Sequence, residues 1–221
     1  MDFPAELIPD GLLWPTNALF LVVLLLAVRR APLSRLLENT FSHRFFAVCV
    51  ILLLLWNTRA GVLPALSFHL LGMTVVTLMF GWSLAILAVL FVVTGSALYS
   101  GDSFASLGIN ALVMGGIPVL VTSGLLSFAQ RRLPHNFFVY IYVNGFFAAG
   151  ASILLSSLAG AGVLLVIDAG SAGWLRYQYY PFLPLVFFAE AFLNGMLMTA
   201  LVAQRPGWVC SFDDERYIDN K

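Results

Sequence analysis

The stretch from Phe68 to Gly116 reads FHLLGMTVVTLMFGWSLAILAVLFVVTGSALYSGDSFASLGINALVMGG, and its reading decides the fold. Two apolar runs, about His69 to Phe80 and Ser83 to Tyr99, are joined only by Gly81-Trp82, which leaves room for nothing but a tight hairpin. The second run ends in the polar turn Ser100-Gly101-Asp102-Ser103, and Asn110 then heads another apolar run. A spanning helix needs roughly 20 mainly apolar residues, so the run that starts at His69 is short for a full crossing. The segment ahead of it, Thr58 to Phe68, is read as dipping into the protein, which non-helical backbone at membrane depth does only where it is buried or lines a cavity.

Working outward, the whole chain has the same character. Of its 221 residues 61% are hydrophobic and 10% charged, and the mean hydropathy is +0.94. Soluble domains average about 25% charged residues, so the composition places this chain in a bilayer. The formal net charge is zero, and no basic surface argues for nucleic acid. The first ten residues, MDFPAELIPD, carry no Lys or Arg, unlike the positive opening of a secretory signal. Cys49 falls mid-helix and Cys210 in the tail, so no disulfide between them is expected.

The remaining spans follow from the apolar runs. Leu12 to Val28 comes first, then Phe45 to about Leu63, where Pro64 interrupts. A fifth span, Leu107 to Ala129, contains Gly115, Gly116 and Pro118 and is expected to kink with support from its neighbours. A sixth starts at Phe137 and passes through Gly145, Gly150 and the run SSLAGAG; small residues admit close backbones, which places it centrally. The seventh covers Phe182 to Ala203. With the N-terminus outside, Arg29, Arg30, Arg35, Arg44, Arg131, Arg132, Arg205, Arg216 and Lys221 lie inside, and only Arg59 and Arg176 outside. The positive-inside bias therefore predicts an all-α integral membrane protein. It is a compact bundle of about seven transmembrane helices with the N-terminus outside and the C-terminus cytoplasmic. Residues 1–204 form one transmembrane domain and residues 205–221 a polar cytoplasmic tail. No internal repeat supports an inverted-repeat transporter plan.

Few residues are able to carry chemistry. His69, one of three histidines, falls at the outer end of the third span, and Met73 is one turn on if the helix begins there. Imidazole is the commonest transition-metal ligand and a thioether adds softness. The competing reading is a histidine bonded at a helix end with Met73 as packing. Glu190 is the acidic residue within a predicted span, and unpaired it would cost about 2.5 kcal/mol or more. Asn194 shares its face, so the two form either a structural clamp or part of a pathway. Asn110 and Asn144 are amides suited to cross-linking helices. Asp10 and Asp102 lie on the outer side, as turn aspartates or as partners of His69. His43 and His135 sit beside arginines on the inner side. There is no phosphate-binding glycine loop, nucleophile elbow, HExxH or CxxC, so nothing supports an enzyme, and active transport would need partner ATPase subunits.

Three blocks in order resemble a family. Ile8-Pro9-Asp10-Gly11-Leu12-Leu13 resembles the opening HIPDGFL of the cobalt/nickel substrate-binding membrane components of energy-coupling-factor transporters, the CbiM/NikM type. His69-Leu70-Leu71-Gly72 is similar to that family's GHLLG. Leu98 to Asp102, followed by Leu107-Gly108-Ile109-Asn110-Ala111-Leu112-Val113-Met114-Gly115, resembles its LLFGDGGLLALGANxxNMG. The helix with Glu190, Asn194 and Gly195 matches more loosely. The resemblance implies a bundle of about seven spans whose N-terminal segment tucks into the centre from outside. The metal in that family is held by the terminal amine and adjacent backbone, a histidine directly after the initiator methionine, and the histidine of the HLLG block. Only His69 has a counterpart here; Leu7 stands at the N-terminal histidine's position, behind six extra residues, Met1 to Glu6.

The expectation is a bacterial inner-membrane, multi-pass permease subunit for a transition-metal ion such as Co2+ or Ni2+, the ion being the transported substrate. It would work with a coupling transmembrane subunit and ATPase subunits, among membrane lipid. His69 is the expected direct ligand, with Asp10 and Met73 as further donors, and Asp102, Asn110, Glu190 and Asn194 in supporting or structural positions. Two alternatives are a substrate-binding component for a non-metal molecule such as a vitamin and a non-transporting membrane scaffold.

Overall fold

The computed structural model describes residues 3–58, 60–61 and 67–217. Among the described residues six helices are long and apolar enough to cross a membrane: α1 (Asp10–Arg30), α2 (Asn39–Asn57), α4 (Trp82–Ser100), α5 (Phe104–Arg132), α6 (Phe137–Val166) and α7 (Ala172–Gln204). Between α2 and α4 lies α3 (Met73–Phe80), only 8 residues long, or about 12 Å at 1.5 Å per residue. Against the seven crossings expected, the described residues thus hold six helices of spanning length and one half-helix. Residues 59 and 62–66, in the segment expected to dip inward, lie outside the described residues; Ala60–Gly61 pairs antiparallel with Ser67–Phe68.

Two glycines set the length of α3. Gly72 at its start is left-handed, with φ 64°, and Gly81 at its end has φ 84°, a region that residues with a Cβ avoid. Gly81 then turns the chain directly into α4. All eight residues of α3 are buried, so it forms the inner post of the bundle, against α4, α5, α6 and α7. By contrast α1 presents Leu19, Leu21, Val22, Leu25 and Leu26 outward, each more than half exposed, as suits a surface solvated by lipid chains.

The kink expected near Pro118 takes the form of a π-helical segment, Leu112–Gly116, inside α5. Proline has no N–H to close its i→i−4 bond, and widening the preceding turn accommodates the loss. A second π-segment, Tyr140–Phe147, lies in α6. That helix is central, as its small residues imply, with Ser156, Ser157, Gly160 and Ala161 buried.

The bundle has two distinct ends. One gathers the N-terminal segment, the end of α2 and the start of α5: Asn17 donates to the Ala105 carbonyl and accepts from Gly108 N, and Ser96 bonds Asn57. Phe3, Ile8 and Leu13 enter an apolar cluster there with Ile109, Leu164 and Leu175. The other end gathers the arginine-rich turns and residues 206–217. Set apart by sequence as a polar tail, this stretch is docked where described; residues 218–221 lie outside the described residues. Cys210 N and Ser211 N donate to the Met79 and Leu78 carbonyls at 3.1 and 3.2 Å, satisfying acceptors that a helix C-terminus leaves open. Trp208 lies under Arg44, and Phe212 and Tyr217 close on Tyr140. Cys49 and Cys210 are both free thiols.

Candidate functional site

The start of α3 is deep in the bundle, where its unpaired N–H groups have no water to turn to. Side chains from α7 reach its first turn and the two residues ahead of it. Glu190, 1% exposed, accepts from Leu71 N through Oε2 at 2.8 Å and from Gly72 N through Oε1 at 2.7 Å. Asn194 donates to Glu190 Oε1 at 2.9 Å and accepts from Val75 N at 3.1 Å. A carboxylate at a helix N-terminus also meets the positive end of the helix dipole. The sequence left a clamp and a pathway open for this pair; the bonds join both side chains to the loop before α3 and to its first turn.

His69 sits on the loop that this clamp holds. It is 6% exposed, and its ring centroid is 5.7 Å from that of Trp56 on α2, at an interplanar angle of 44°. Trp56 also donates from its indole N–H to the Leu71 carbonyl at 2.9 Å. The Leu71 peptide is therefore held on both sides, its N–H by α7 and its C=O by α2. His69 Nδ1 lies 3.3 Å from the Leu70 carbonyl oxygen. In the tautomer that donates from Nδ1 the lone pair is on Nε2, the arrangement used by metal-ligating imidazoles whose other nitrogen bonds a carbonyl.

Asn110 performs a second clamp on the same side of the bundle. Its Oδ1 accepts from Phe3 N at 2.8 Å and its Nδ2 donates to Phe3 O at 3.1 Å. One side chain thus pairs with both backbone groups of Phe3, whose ring is fully buried. Between this clamp and Trp56 is a small cleft of about 20 Å³, lined among others by Ser96, Asp102, Ser103, Ser106 and Asn110. Half of its lining side chains carry an oxygen, and it has room for about one water-sized guest.

The other expected donors fare differently. Met73 is fully buried as the first residue of α3, and because that helix begins four residues after His69, the one-turn relation expected between them does not exist. Asp10, the first residue of α1, is exposed, and Asp102 is exposed at the cleft's rim. Among the described residues no group of three or more His, Cys, Asp or Glu gathers. Asn144, expected to cross-link helices, is buried with neither amide atom hydrogen-bonded. Cross-linking falls instead to Thr74, Thr122 and Ser152, a buried hydroxyl chain with links of 2.9 and 3.4 Å joining α3, α5 and α6. Sequence reasoning overlooked Trp56 and Phe3, whose apolar rings gave no sign of a positioning role. Proline at position 4, fixing the backbone after Phe3, was the available hint.

The profile of CbiM, described as the cobalt uptake substrate-specific transmembrane region, matches residues 2–208. The chain belongs to the CbiM family. It is accordingly a multi-pass membrane component of cobalt uptake, in a family of transporter parts and not of enzymes. No curated protein and no solved structure matches it. At its N-terminus Leu7 is 43% exposed, while Phe3 is the residue drawn into the bundle.

Proposed function

We propose that this chain is the ion-capturing subunit of an energy-coupling-factor transporter in a bacterial inner membrane, taking up cobalt or nickel, with His69 as a direct ligand. The observation that carries the reading is a buried imidazole on a loop braced from α2 and α7, in a chain whose family is defined by cobalt uptake. Pre-positioning of this kind is what a metal ligand needs, since outer partners fix ring orientation and tautomer. The His69 end faces outward and captures the ion; the end carrying Arg29, Arg30, Arg35, Arg44, Arg131, Arg132 and Arg205 faces the cytoplasm. Partner ATPase and coupling subunits supply the energy, because the sequence has no nucleotide-binding loop of its own. Asp102 and the cleft hydroxyls offer oxygen ligands on the outward path, in place of the missing N-terminal histidine.

The test is metal binding by the purified protein in detergent. His69→Ala abolishes cobalt and nickel binding in titration calorimetry while the protein remains monodisperse. Equal binding by the wild type and the variant, or none by the wild type, refutes the assignment.

A further inference from the structure

The loop that bears His69 is joined to α7 by a buried carboxylate, and this link has consequences for ion affinity. We propose that Glu190 is a positioning residue for the bound ion: by holding the Leu71 and Gly72 N–H groups it fixes where the His69 ring stands, and so sets cobalt affinity. The proposal rests on the reading of His69 as a ligand.

Three observations support it. First, both carboxylate oxygens are spent on the loop, at 2.8 and 2.7 Å, and bonds to an ionised acceptor are stronger than neutral ones. Second, the loop has no helical geometry of its own to hold it, because α3 begins only at Met73 and Gly72 is left-handed; the residues from His69 to Gly72 owe their course to side chains from elsewhere. Third, the brace is two-sided. Trp56 holds the Leu71 carbonyl from α2 while Glu190 holds the Leu71 N–H from α7, and Asn194 steadies the carboxylate with its own amide. A clamp serving only to start α3 would need the Gly72 and Val75 bonds. The bond to Leu71, two residues from the imidazole, passes the position of α7 to the ring.

The opposite end of α3 provides a control. There Ser211 holds the Leu78 carbonyl through its hydroxyl at 2.9 Å, so Ser211→Ala loosens the same helix without touching the His69 loop. The experiment measures cobalt affinity, the visible ligand-field spectrum of bound Co2+ and thermal stability for the wild type, His69→Ala, Glu190→Gln, Glu190→Asp, Trp56→Phe and Ser211→Ala. Glu190→Gln keeps the shape but turns an N–H donor toward a loop N–H, and cobalt affinity falls about 10–100-fold, the range for partners of metal ligands. The cobalt spectrum changes with it. Glu190→Asp restores part of the affinity, and Ser211→Ala lowers stability without shifting affinity. Wild-type affinity and spectrum in Glu190→Gln overturn the proposal, as does a shift in Ser211→Ala equal to that of Glu190→Gln. Should Glu190→Gln fail to fold, Trp56→Phe reads the other brace: a fall in affinity supports the proposal and no change overturns it. Cobalt binding that survives His69→Ala overturns the ligand assignment itself, and the positioning role with it.

Discussion

Asn110→Leu separates the N-terminal clamp from the stability of the bundle. The substitution keeps the side chain's branched shape and removes both hydrogen bonds to Phe3, of 2.8 and 3.1 Å. If Phe3 stayed in place, its N–H and C=O would be left buried without partners, at about 1–3 kcal/mol each, or roughly 2–6 kcal/mol together. The gain from keeping the Phe3 ring out of water is about 1.5–3 kcal/mol. The penalty matches or exceeds the gain, so the segment around Phe3 leaves its seat and the bundle, whose main apolar cluster does not include Phe3, stays folded. Hydrogen exchange read by mass spectrometry is the suitable assay. Amides in residues 3–9 lose protection in the variant, while α3, α4 and α6 keep theirs. Unaltered protection at the N-terminal segment would show that apolar contacts alone seat Phe3, and a general loss throughout the helices would show that the clamp is part of the global fold. Either result refutes the reasoning.

Two further outcomes are expected. Gly72→Ala puts a Cβ on a residue with φ 64° and brings it to 3.0 Å from Leu52 Cδ2; left-handed backbone costs about 1–2 kcal/mol, so the melting temperature falls by several degrees, and an unchanged value would mean that the loop relaxes freely. In a background without Cys49 and Cys210, a cysteine at Asp102 reacts with an impermeant maleimide in intact cells, whereas one at Arg132 reacts only after permeabilisation. The reverse pattern would invert the proposed orientation.

Much of this architecture was legible in the chain because apolar run length is a direct readout of bilayer thickness. The hairpin at Gly81 and the shortness of the third span were readable for the same reason, and the i, i+4 spacing of Glu190 and Asn194 placed them on one face, where they bond each other. What they clamp was hidden, since Leu71 and Gly72 are 119 and 118 residues away and the groups engaged are backbone N–H, which every residue possesses. The expected partnership of His69 and Met73 failed because it assumed a helix running from position 69, and a left-handed glycine at 72 forbids that. The docking of residues 206–217 had a visible signal that charge obscured: Trp208, Phe212 and Tyr217 are placed among acids and arginines, and those aromatic rings are what seat the segment on Tyr140 and Arg44.

Two oddities of the sequence, a span too short to cross and an acid within a span, are one feature seen from two helices. A bilayer interior tolerates a broken helix only where its loose N–H and C=O groups find partners in the protein. At the upper break of α3 those partners are Glu190, Asn194 and Trp56; at the lower break they are Cys210 and Ser211. An unpaired carboxylate in α7 would be costly, and so would unpaired amides at Leu71 and Gly72; each relieves the other. Removing either half alone leaves the other exposed to its full desolvation cost, so Glu190 and the glycine break stabilise each other, and the loop between them, which carries His69, is held by both.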